Sequence, residues 1–168
     1  MTRWSQALAR GVVSGSVASM LSTFALTIAS RRETGRALAA TNSTSHWIWP
    51  QRGLVAHRAS LRYTGTGYAI HHAMSVLWAM LYEAGVATRA PAPRALTGGL
   101  AIAALACLVD YTCTPSRLTP GFERRLSKPA LATAYAAFAA GLALTTMARA
   151  AVDVPSAPRR TRGVRSRQ

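Results

Sequence analysis

Nearly uncharged apolar stretches, each about as long as a bilayer core is thick, alternate along this chain with short blocks that hold almost all of its charge. The first stretch runs from about Gly11 to Ser30 and is followed at once by Arg31 and Arg32. The second, about Thr64 to Ala87, is the most polar, with His71, His72 and Glu83 inside it. The third, about Ala95 to Thr112, ends in Asp110-Tyr111, and the fourth, about Ala130 to Arg149, is Ala-rich around Gly141. A soluble domain scatters its charges along amphipathic helices, so this segregation predicts an all-α membrane protein. The expected fold is a four-transmembrane-helix bundle with basic loops, one domain over residues 1–153. A Pro- and Arg-rich tail, 154–168, should be disordered or lie on anionic headgroups.

The connections refine that picture. Thr88 to Arg94, with Pro91 and Pro93, is short enough to make the second and third spans an antiparallel hairpin. Both termini and this turn then share one side, the terminal side, and the two longer loops share the other, the loop side. The connection over residues 31–63 is the longest. It carries Ser45-His46-Trp47-Ile48-Trp49-Pro50, which suits an interfacial belt or a short re-entrant turn. The loop after the third span has turn chemistry at Thr119-Pro120-Gly121 and a helix-stopping Pro129. In the first span small residues recur every four positions, at Gly11, Gly15, Ser19, Thr23 and Thr27, a stripe against which another helix can pack closely. The same span has features of a secretory signal, with Thr27-Ile28-Ala29 as a cleavage-like site, but its apolar run is long for one.

Charge settles less than it promises. The formal net charge of +15 could serve nucleic acid, but the arginines flank apolar runs instead of lining one face, which is what lipid headgroups and topology select. Nucleic acid is therefore disfavoured as a partner. The bilayer, and anionic headgroups met by the Arg-rich loops and tail, are the expected partners, with a second copy or another membrane protein beside them. Each side of the membrane receives ten basic residues, so orientation rests on a lean towards cytoplasmic loops taken helix by helix. Cys107 and Cys113 have neither CxxC spacing nor a neighbouring histidine, and they sit on different helix faces.

Ionisable residues inside lipid are functional candidates by default. The predicted topology gathers His46, His71, His72, Asp110, Tyr111, Arg117 and Glu123 at the loop-side end. Such a set could hold a metal, a haem or a quinone, or relay protons. Adjacent histidines point about 100° apart on a helix, so His71 and His72 cannot easily share one ion. The plainer reading is that one histidine bonds across helices or to Tyr68, and that Asp110 pairs with Arg117 or Arg124. Glu83 lies about 16 Å along the helix from His72 and is expected to pair with Arg89, Arg94 or Arg149 near the terminal side. No nucleophile elbow, P-loop or dinucleotide fingerprint is present, and no cofactor is expected.

The segments SHWIWP, TGYAIHHAMSVLWAMLYE and VDYTCTPSRLTPGFERRLS resemble blocks in small, uncharacterised proteobacterial membrane proteins, and the layout is loosely similar to YagU-like inner-membrane proteins. The resemblance implies a multi-pass protein of the bacterial inner membrane and no particular chemistry. The leading expectation is a non-enzymatic accessory or self-associating bundle. The alternative is redox, cofactor-binding, small-solute or proton transport at the loop-side His/Asp/Tyr cluster.

Overall fold

The computed structural model describes residues 2–85 and 90–152, and among these every regular element is helical. Residues 86–89, which include the end of the second predicted span, and the tail from 153 lie outside the described residues. The long helices are α1 (Arg3–Thr34), α4 (Thr66–Gly85), α5 (Ala92–Leu108) and α6 (Lys128–Val152). Two short helices, α2 (Ala39–Thr44) and α3 (Arg52–Val55), interrupt the long loop. A π-helical turn over Leu61–Gly65 leads into α4, and another over Val109–Cys113 prolongs α5.

Three of these segments, Arg3–Thr34, Ala92–Cys113 and Lys128–Val152, are long and apolar enough to cross a membrane. The distribution of side chains fits that environment. Large apolar groups point outward: Val12, Met20 and Phe24 of α1, Leu77 and Leu81 of α4, Leu100 and Leu105 of α5, and Leu144 of α6. Inside are small and hydroxyl-bearing residues, among them Ser14, Ala18, Ser19, Ala79, Ala139 and Thr146. Membrane helices associate through such small residues because lipid offers no hydrophobic drive between helices. Some hydroxyls within α1 are satisfied by the helix itself, as Ser14 and Ser22 donate to the carbonyls of Arg10 and Ala18.

α1 begins well before Gly11 because Thr2 caps it, its side chain accepting from the Ser5 amide. It ends at Gly35, whose positive φ of 72° lets the chain turn away. The four long helices form a ring in the order α4, α1, α6, α5, with extensive α4–α1, α1–α6 and α6–α5 contacts. The predicted small-residue stripe faces α4 within the same chain. A Cβ at Gly15 would stand 2.7 Å from Val76 Cα, and one at Gly11 2.9 Å from Met80 Cα. Gly141 of α6 admits the backbone of α1 at Ala18 in the same way.

α4 and α5, neighbours in sequence, touch far less than the other pairs in the ring. The expected hairpin is thus an open one. A hydrogen bond ties the two helices near the terminal side, where Tyr82 donates to the Ala95 carbonyl at 3.2 Å. At the same end Glu83 pairs with Arg149, within the set of partners the sequence suggested, and the Arg3 guanidinium reaches the Ala84 carbonyl.

The loop side is closed by a plug. All six residues of α2 are buried, as are Ser45 and His46, so the middle of the long connection is packed into the bundle and is not a bare loop. Ser30 Oγ receives the Ala40 amide and donates to the Arg36 carbonyl, folding the plug back onto α1. Glu33 accepts from both the amide and the hydroxyl of Ser127, which ties the end of α1 to the start of α6.

Candidate functional site

The gap between α4 and α5 is a cleft of about 330 Å³ at the loop-side end of the bundle. α4 contributes Ile70, His71, Met74, Ser75 and Trp78, and α5 with its π-helical turn contributes Ala106, Val109, Asp110 and Cys113. Ser22 and Leu26 of α1, and Ala134, Tyr135 and Phe138 of α6, form its back wall. Trp47 of the plug, with Leu118, Pro120 and Phe122 of the second loop, covers the top.

Beside the hydroxyls of Thr44, Ser75 and Thr114, two polar points stand out in this lining. Asp110 Oδ2 accepts a 2.6 Å hydrogen bond from the Tyr135 hydroxyl. This corrects the pairing with Arg117 or Arg124 expected from the sequence. Arg117 is engaged by the His46 carbonyl at 2.7 Å, and Arg124 lies 4.0 Å from Glu123. The wide π turn sets Asp110 facing α6, whose tyrosine lies within reach where no arginine does. The second polar point is His71, whose Nε2 is 2.9 Å from Ser22 Oγ. That hydroxyl already lies at 2.9 and 3.1 Å from the carbonyls of Ala18 and Ser19, which can only accept. Nε2 therefore carries the imidazole proton and donates, leaving Nδ1 as an acceptor. The ring edge packs against Phe122.

The other predicted residues are dispersed around the cleft. His72 turns to α1, with Nδ1 3.3 Å from Ser19 Oγ and its ring beside Tyr68. Both histidines thus bond across to α1, each to its own serine. Tyr111 stands edge-on to Tyr135 at 6.3 Å. His46 is buried in the plug, where Nδ1 donates to the Ser43 carbonyl at 2.9 Å, and its Nε2 has no partner. Gly121, at a φ of 90°, fits against this ring where a side chain would collide with it. Glu123 accepts from Thr119 at 2.8 Å and belongs to the loop that Trp47 grips through the Thr119 carbonyl. Of the stripe, Gly11, Gly15 and Ser19 are buried against α4, while the Thr23 hydroxyl is shielded without a partner. Cys107 and Cys113 are free thiols.

The candidate ligands His46, His71, His72 and Asp110 do not converge. Among the described residues no three His, Cys, Asp or Glu side chains are placed to hold a metal ion. What the arrangement offers is hydrogen bonding and charge. Asp110 is the one carboxylate of the lining, and although the sequence holds twenty Arg and Lys residues, none of those among the described residues lines the cleft. Around that acid are the faces and edges of Trp47, Trp78, Phe122, Tyr135 and Phe138.

Tyr135 and Ser22 were not singled out by the sequence. Tyr135 sits in the Ala-rich fourth span, and its only signal is that it is the lone aromatic hydroxyl there. No family model, curated protein or solved structure matches the chain.

Proposed function

We propose that this is a four-helix protein of the bacterial inner membrane whose cleft takes up a lipophilic organic cation, the binding step of small-solute transport. The observation that carries the reading is the composition of the cleft: one carboxylate, no arginine or lysine among the described residues that line it, and five aromatic side chains besides His71, in a chain otherwise rich in arginine. A carboxylate in an apolar, aromatic surround attracts a cation with little water to lose, through charge and through ring faces. An anionic solute would find no arginine or lysine among the lining residues.

α4 supplies the fourth crossing in this reading. Its ionisable groups are each engaged within the bundle, His71 by Ser22, His72 by Ser19 and Glu83 by Arg149, while Leu77 and Leu81 face outward. A span that directs its polar groups inward in this way is tolerated by lipid. The basic loops would then lie at cytoplasmic headgroups.

Self-association as an accessory bundle has weaker support, since the stripe of α1 that suggested it is occupied by α4 of the same chain. The test is to titrate the purified protein with tetraphenylphosphonium and follow the fluorescence of Trp47 and Trp78. Saturable quenching that Asp110→Asn removes, followed by uptake in proteoliposomes, supports the proposal. Equal quenching in wild type and Asp110→Asn rejects it.

A further inference from the structure

Outside the cleft, a second hollow of about 590 Å³ opens on the loop-side surface, and its chemistry is of the opposite sign. It is lined by Arg36, Ala56, His57, Arg58, Ser60 and Tyr63. Arg125, from the second loop, lies close enough to act on His57, as does Arg36. Among the described residues none of Arg36, Arg58 and Arg125 has an acidic partner within ion-pair distance. His57 Nδ1 is shielded from solvent and has no hydrogen-bond partner. A buried ring nitrogen without a partner is costly unless a ligand or water supplies one.

The walls of this hollow are held by a buried side chain. Asn42, fully enclosed in the plug, donates from Nδ2 to the Arg58 carbonyl at 3.0 Å and accepts from Thr64 Oγ1 at 2.7 Å. Thr64 Oγ1 in turn accepts the Ser60 amide, and Ser60 Oγ accepts the Tyr63 amide. The loop bearing His57 and Arg58 and the turn that opens α4 are therefore set against each other before any ligand arrives. The start of α4 adds a partial positive charge to the same spot.

We propose that this hollow is a specific site for a phosphate monoester, gripped by Arg36 and Arg58 with His57 Nδ1 as a further contact. Two guanidinium groups match the oxygen geometry and the charge of a phosphate dianion, and arginine binds it bidentately. The dianion carries a charge near −2 at neutral pH, more than a phosphodiester does. In the topology proposed above the site lies at the level of lipid headgroups, so the phosphate could come from a monoester lipid or from a soluble phosphate. Both sources present the same group.

The experiment uses the full-length protein with two probes, inorganic phosphate in neutral detergent and phosphatidic acid in phosphatidylcholine nanodiscs. Phosphatidylglycerol, a diester, serves as the reference lipid. The variant R36Q/R58Q is compared with R32Q/R52Q, which removes the same charge from arginines that do not line the hollow. The expected result is that R36Q/R58Q weakens binding of at least one probe by about tenfold or more, while R32Q/R52Q changes it little. Weakening with inorganic phosphate assigns a soluble source, and weakening with phosphatidic acid alone assigns a lipid. Equal losses in the two variants, or no preference for phosphatidic acid over phosphatidylglycerol without binding of inorganic phosphate, overturn the proposal. Should R36Q/R58Q not fold, the His57 ring signals of the wild-type protein decide. They shift on saturation with whichever probe binds, and signals unmoved by both probes reject the site.

Discussion

Tyr135 of α6 and Asp110 of the turn ending α5 are joined by a 2.6 Å hydrogen bond, the one side-chain partner that Asp110 has among the described residues. The bond does two things. It holds the carboxylate at the wall of the cleft, and it couples α5 to α6 at the end where α5 leaves α4. Tyr135→Phe removes the donor and keeps the ring, so the acid loses its partner without a change of packing. Loss of such a bond costs about 1–3 kcal/mol. Thermal unfolding in mild detergent should show this loss. Tetraphenylphosphonium binding, measured by equilibrium dialysis, should fall less than in Asp110→Asn, where the charge itself is gone.

Helix spacing gives a sharper test of the bundle. Gly15 and Gly141 stand where α1 meets α4 and α6, and a Cβ at Gly15 would lie 2.7 Å from Val76 Cα. Gly15→Leu and Gly141→Leu should each destabilise by about 1–3 kcal/mol or more and broaden the gel-filtration peak. Gly85→Ala, at a position with open space around it, should behave as wild type in both assays.

The terminal-side ion pair should respond asymmetrically. The Glu83 side chain is 2% exposed, whereas that of Arg149 is 26% exposed. Arg149→Gln leaves a buried carboxylate without its partner, at a cost of about 3–5 kcal/mol. Glu83→Gln leaves an arginine that can still reach headgroups, so its cost should be clearly smaller. Melting temperatures of the two single variants and the double variant give the order, with the double variant more stable than Arg149→Gln alone.

His57 provides a pH dependence outside the spans. Burial, with the charges of Arg36 and Arg125, holds its imidazole below the ordinary value of 6.5. The folded protein therefore binds this proton less readily than the unfolded chain does. Above the unfolded value both states are neutral and His57 contributes nothing. As pH falls below it, the unfolded state gains a proton first and the fold loses stability until the folded value is passed. Denaturation of wild type and His57→Gln across this range should converge at high pH, with the wild type losing more on acidification.

Much of this architecture is legible in the pattern of charge and apolar length. The long helices fall on the four apolar stretches, and three of them are long and apolar enough to cross a membrane. The ends are less legible. α1 runs eight residues earlier than its uncharged stretch, starting at Arg3 instead of Gly11, because arginine side chains can extend to polar surroundings while the backbone stays helical. The Asp110 contact was misread since a sequence ranks partners by charge, and the geometry of the π turn chose a tyrosine instead. Asn42 gave no warning at all. A single neutral amide in a Ser/Thr-rich loop looks like solvent-facing turn chemistry until the plug is seen to be buried.

The sparse contact between α4 and α5 has a consequence for how a ligand reaches the cleft. In a ring of four helices the weakest seam is the natural entrance, and this one would border acyl chains as well as water. A lipophilic cation would arrive after partitioning, at a concentration set by the membrane and not by the bulk solution. Affinities quoted per litre of buffer would then change with lipid amount, while those quoted as mole fraction in the bilayer would stay constant.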